Sequence, residues 1–130
     1  MGSSYDLFVA HGVLHVVFRG VQDFQTTEAA IAEGAKMLKE HGILCVLFNF
    51  DAAIANGYLT ETVRHAERAE KLGLSRQLRL AFFSSKHSDT VEFMATVALN
   101  RGYKARAFGS ADEALAWLNA PPDQPVPGTR

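Results

Sequence analysis

Residues 43–51 read ILCVLFNFD, and this stretch decides the fold. Taken as a strand, it sets Ile43, Cys45 and Leu47 on one face and Leu44, Val46, Phe48 and Phe50 on the other. Both faces are apolar. A strand on a half-solvated sheet alternates with polar residues, whereas a strand covered on both sides reads as a continuous apolar run. Asn49 and Asp51 interrupt the run only at its C-terminal end, where ligands sit in open α/β sheets.

Working outward, the same transition occurs three times: a helix-like segment ends in glycine and an apolar strand follows. The pairs are EHG with ILCVLF, KLG with LSRQLRLAFF, and NRG with YKARAF. That alternation predicts crossover helices and parallel strands. Two short apolar runs, residues 5–9 and 13–18, come first and are joined by His11-Gly12. A glycine in a two-residue loop allows the positive φ of a tight hairpin, so an antiparallel pair closing near Gly20 is expected. The predicted architecture is an α/β domain of order ββαβαβαβα, with a mixed sheet of about five strands flanked by helices.

Local signals place the elements. The first helix is predicted to start at Thr26 or Thr27 and to end at Gly42, with Ile31, Gly34, Ala35 and Leu38 as its inner stripe. Residues 52–58 form a loop with an Asn56-Gly57 turn. A second helix over 59–72 follows, with Thr60 as candidate cap. Its apolar stripe is thin (Leu59, Val63, Ala66, Ala69, Leu72) and its other face is charged. A strand over 78–83 ends in Phe82 and Phe83. Asp89 with Glu92 has the spacing of a capping box, as does Ser110 with Glu113; these open the third and fourth helices. The strand between those helices covers residues 103–108.

The 130 residues are one domain by length, enough to bury roughly two-thirds of the unfolded surface. A formal charge of −1 gives no general attraction to nucleic acid or to an anionic membrane. Cys45 is the single cysteine, so an internal disulfide is excluded and a reducing, cytoplasmic setting is expected. Neither an apolar leader nor a run long enough to span a bilayer is seen. All four prolines (Pro121, Pro122, Pro125, Pro127) fall in the last ten residues. The domain is therefore read as residues 1–119, with 120–130 a disordered Pro-rich tail.

The hairpin closing in VVFRG, the FNFD strand and the closing NRGYKARAFGSADEALAWL together resemble the STAS superfamily. The likeness is to the bacterial branch related to anti-sigma-factor antagonists, also called STAS/SEC14-like. It covers roughly residues 6–119 and rests on element order and the C-terminal signature. The resemblance implies a STAS-like fold and regulation through a protein partner, with the helix after the central strand facing that partner. In anti-sigma-factor antagonists a serine in an Asp-Ser-Ser-Gly-like motif opens that helix and is phosphorylated. Here residues 52–62 read AAIANGYLTET, which contains no serine, so Thr60 and Thr62 are the candidate phospho-acceptors. Other STAS relatives imply binding of nucleotides or small apolar molecules.

No complete catalytic set is visible. Asp51 ends a strand as a receiver-domain phospho-acceptor does, but the partner acids and late lysine of that chemistry are missing; capping of the following loop is expected instead. Ser84, Ser85, His87 and Asp89 bring nucleophile, base and acid types within six residues. A strained nucleophile elbow is absent and Asp89 is already taken as a cap, so a polar loop is expected. His11, His15, His41, His65 and His87 do not form a ligand set, with His41, His65 and His87 standing alone near helix ends or surfaces. Neither metal nor cofactor is expected, and a dinucleotide fingerprint or P-loop is absent.

Two functions from different classes follow as expectations. One is a non-enzymatic regulatory module that contacts a protein through the loop after Asp51 and the helix over 59–72. The other is a module binding a small apolar ligand or nucleotide between Phe48, Phe50, Phe82 and Phe83. The candidate contact residues are Asn49, Asp51, Asn56, Tyr58, Thr60, Ser84 and Ser85. The helix that opens at Thr90 and closes at Arg101 is apolar around much of its circumference. It is expected to be buried, or else to form a homodimer surface.

Overall fold

A computed structural model describes residues 4–54 and 58–120. The elements are β1 (Ser4–Ala10), β2 (Val13–Val21), α1 (Phe24–His41), β3 (Cys45–Ile54), α2 (Tyr58–Ala69), β4 (Arg79–Phe83), α3 (Ser88–Asn100), β5 (Lys104–Phe108) and α4 (Ala111–Leu118). The predicted order ββαβαβαβα is the one that forms. The sheet runs β1-β2-β3-β4-β5, so every strand pairs with its neighbours in the chain. β1 and β2 are antiparallel, and β2 through β5 are parallel. The hairpin turns at His11 (φ 56°) and Gly12 (φ 75°), two left-handed residues in a row, as a two-residue loop matched to strand twist requires.

Both faces of the sheet are packed. One face carries Leu14, Val16, Phe18, Val46, Phe48, Phe50 and Leu80 and lies under α1, α2 and α3. Right-handed crossovers between adjacent parallel strands place all three helices on that side. The other face carries Leu47, Ala81, Phe83 and Phe108 and is covered by Ala114, Trp117 and Leu118 of α4. Cys45 and Leu47 thus separate from Val46, Phe48 and Phe50 as the two-faced reading of the central strand requires. α4 does not extend over β1, where Phe8 is 47% exposed and stacks on His15 at 4.6 Å.

A buried arginine anchors α4. One terminal nitrogen of Arg79 donates to the Trp117 carbonyl at 2.6 Å and to the Ala120 carbonyl at 2.8 Å, and the guanidinium lies 5.5 Å from the Trp117 ring centroid. Cys45 donates its thiol to the Leu118 carbonyl at 3.1 Å, and burial raises its pKa.

Several local expectations are corrected. β3 does not stop at Asp51 but runs to Ile54, because a register shift between Val17 and Arg19 lets Ala52, Ala53 and Ile54 pair with Arg19, Gly20 and Val21. α1 is capped by Asp23, whose carboxylate accepts from Thr26 N at 2.7 Å; Thr27 lies inside the helix and is buried. α3 makes no Asp89 capping box. Its N-cap is His87, and Ser84 Oγ accepts the N–H groups of Lys86 and His87 just upstream. Asp89 falls in the first turn, where a negative charge favours the helix dipole. The Ser110 cap does form, accepting from Glu113 N at 3.4 Å. Among the described residues no helix is long and apolar enough to cross a membrane. The tail over 121–130 lies outside the described residues.

Candidate functional site

The residues expected to form one site divide between the two faces, since successive side chains of a strand point to opposite sides. Phe48, Phe50 and Phe82 face the three helices. Phe83 is on the α4 side, in the cluster with Phe108 and Trp117. Asn49 and Asp51 alternate with Phe48 and Phe50 and cannot join them.

Asn49, Asp51, Ser84 and Ser85 form a loop clamp instead. Asn49 Oδ1 accepts from Asp51 N at 2.9 Å. Asp51 Oδ1 accepts from both the hydroxyl and the backbone N–H of Ser85, each at 2.7 Å. The hydroxyl bond first, then the backbone bond, holds the Asp51 carboxyl below its ordinary pKa. Asp51 therefore does not cap the loop after its own strand; it reaches across to the loop after β4. Ser84 is fully buried, and its N–H donates to the Phe108 carbonyl at 3.2 Å. Asn56 lies outside the described residues, as do the side chains of Tyr58 and Thr60. Both residues are in the first turn of α2, so Thr60 is not its cap.

The helix-covered face contains a cavity of about 70 Å³. Phe18, Phe48, Phe50 and Phe82 line it from the sheet, and Met94 from α3. The four rings form a stacked row, Phe50 to Phe18 at 4.8 Å, Phe18 to Phe48 at 6.4 Å and Phe48 to Phe82 at 5.1 Å. The opposite wall is α2, which offers Thr62, His65, Ala66 and Ala69. Small side chains facing large rings leave the gap. The volume is about half that of the engineered apolar hole of roughly 150 Å³ that takes benzene or xenon. It suits a guest of a few heavy atoms.

α2 is rotated from its predicted stripe. Val63 points outward at 37% exposed, while Thr62 and His65 point inward at 8% and 6%. The hydropathy stripe missed these two because both are polar. His65 does not stand alone near the surface: its Nδ1 lies 3.0 Å from Glu28 Oε2 on α1. Arg68 Nε donates to the other carboxylate oxygen at 2.6 Å. The His65 ring stacks on Phe24 at 4.5 Å, and the Arg64 guanidinium lies 4.2 Å from the centroid of the same Phe24 ring.

Burial lowers the pKa of His65, although Glu28 pulls the other way. Burial alone would raise Glu28, but the bonds from His65 and Arg68 outweigh it, and its pKa is lowered. A neutral imidazole donating Nδ1–H to an ionised carboxylate is the arrangement consistent with both. The cavity wall is mostly apolar, with one oriented imidazole and Thr62 as its polar edge. Thr62, a candidate phospho-acceptor, is buried and lines the cavity.

α3 buries Val91, Met94, Ala95 and Ala98. Phe93 and Leu99 are exposed at 36% and 53%, on different sides of the helix. They do not make one patch. Among the described residues no three histidine, cysteine, aspartate or glutamate side chains converge as a metal site. Compared with models of known protein families and with curated proteins, the chain finds no match.

Proposed function

We propose that the protein is a non-enzymatic, cytoplasmic binding module for a small apolar molecule held between α2 and the sheet. The observation that supports this reading is the phenylalanine-lined cavity of about 70 Å³. A guest of about five heavy atoms can gain at most about 7 kcal/mol, so affinities from micromolar to millimolar are expected. The single cysteine, a free thiol, fits the location.

The test is native mass spectrometry before and after mild denaturation, followed by xenon titration watched at the Met94 methyl group. A small molecule released on unfolding, or a saturable shift of that methyl, supports the reading. A clean apo mass together with an unresponsive Met94 sinks it.

Regulation of a protein partner is the second reading. The resemblance to anti-sigma-factor antagonists supports it, and so does the double role of α2. That helix walls the cavity with Thr62 and His65 and turns Val63, Glu67 and Arg68 outward. A ligand inside would be felt by a partner outside through one helix. Amide hydrogen exchange across α2 with and without xenon tests this; identical exchange in both conditions removes the coupling.

A further inference from the structure

Gln22 follows β2 and is 6% exposed. Its Nε2 donates to the Arg19 carbonyl at 3.0 Å and to the Gly20 carbonyl at 2.8 Å. Both amide hydrogens are thereby used, which settles the orientation of the group: the opposite flip would set an oxygen against two carbonyls. The Oε1 atom is buried and accepts no hydrogen bond. A buried acceptor in this state costs stability until a donor meets it.

Gln22 lines a second, smaller cavity of about 10 Å³, together with Phe50, Met94, His87 and Thr90. Phe50 and Met94 also wall the main cavity. The two spaces thus share a partition made of one aromatic ring and one thioether chain. Methionine is unbranched and adapts its rotamers readily, so a guest can displace it and occupy both spaces.

Resting on the ligand reading above, we propose that the bound molecule is a neutral apolar compound carrying one hydroxyl or N–H group. Its apolar part fills the phenylalanine-lined cavity, and its donor meets Gln22 Oε1. An anionic head group is disfavoured because Oε1 is an acceptor and the Glu28 carboxylate lies against the same cavity wall through His65. A cationic head group would lose its hydration without gaining a free counter-charge. The competing occupant is a single water, for which about 10 Å³ is just sufficient.

The experiment titrates the full-length protein with n-pentane, 1-pentanol and pentanoate. It follows the Met94 methyl and the Gln22 side-chain carbonyl carbon by NMR. Both hydrocarbon and alcohol should move Met94, only the alcohol should move the Gln22 carbon, and pentanoate should move neither. In Gln22→Met, the affinity for 1-pentanol relative to n-pentane should fall at least five-fold. This variant also loses two bonds to the β2 carbonyls, so the Gln22 carbon signal in the unaltered protein stands as an independent readout. If Met94 responds to the alcohol but the Gln22 carbon does not, Gln22 holds only water and the inference is overturned while the cavity reading stands. If Met94 responds to none of the three, the cavity reading itself falls.

Discussion

Glu28 of α1 and His65 of α2 meet at 3.0 Å, and through this contact the polar edge of α2 faces inward. The pair makes stability depend on pH. Burial keeps the His65 pKa below that of an unfolded chain, so the unfolded state binds the proton more readily. The resulting stability is fully present above about pH 6.5, the unfolded value, and is lost as pH falls through the window beneath it. Glu28, also lowered, contributes above its unfolded value of about 4.3 and loses that contribution as pH falls through its folded value. Glu61 and Arg64 act on His65 in opposite directions. The urea midpoint should therefore drop on going from about pH 7 to about pH 5, and His65→Gln should flatten that slope. An unchanged slope in the variant would assign the effect to His15, which burial also lowers.

Filling the cavity should stabilise the fold and exclude the guest. Ala66→Leu adds apolar volume from a helix position where leucine is well tolerated. A gain of about 1 kcal/mol in urea unfolding is expected, with loss of the xenon response at Met94. A loss of about 1–3 kcal/mol instead would mean the site is already full.

Asp51 holds the loop after β4 by two bonds from Ser85. Asp51→Ala should cost about 1 kcal/mol and speed amide exchange at Ser85 and Lys86. Xenon binding on the opposite face should be unaffected. A change in xenon affinity would show that the two faces are coupled.

Arg79→Lys should release the end of α4. A lysine cannot place a planar guanidinium beside the Trp117 ring while its head group bonds the two carbonyls. A cost of about 2 kcal/mol is expected from the buried charge-assisted bonds. Trp117 is the chain's single tryptophan, so a red shift of its emission reports directly on α4. Unchanged emission would show that apolar packing alone seats the helix.

The elements legible in the sequence were those whose signal is local. The two-faced apolar run at Val46 to Phe50, the His11-Gly12 hairpin and the Ser110 cap all read from neighbouring residues. What escaped depends on distant partners. β3 extends through Ala52 to Ile54 only because β2 supplies Arg19 to Val21 beside it. Asp23 outcompeted the threonines as cap by sitting three residues ahead of Thr26. Thr62 and His65 fall outside the apolar stripe because they are polar, and the partner that offsets His65 burial, Glu28, lies on a different helix 37 residues away. Phe83 parts from Phe82 because adjacent residues of β4 point to opposite faces of the sheet.

The strand order β1-β2-β3-β4-β5 has a consequence for how the chain is made. Each new strand docks against the one synthesised just before it, so assembly can advance in step with translation without waiting for distant segments. On the face away from α1, α2 and α3, the cover comes from α4, which reaches back over β3 and β4 and is the last described element to emerge. Until it arrives, Leu47, Ala81 and Phe83 present a bare apolar surface. A released chain that ends before Ser110 would offer that surface to chaperones and to aggregation, whereas one that extends through Ala120 carries the carbonyl that Arg79 grips.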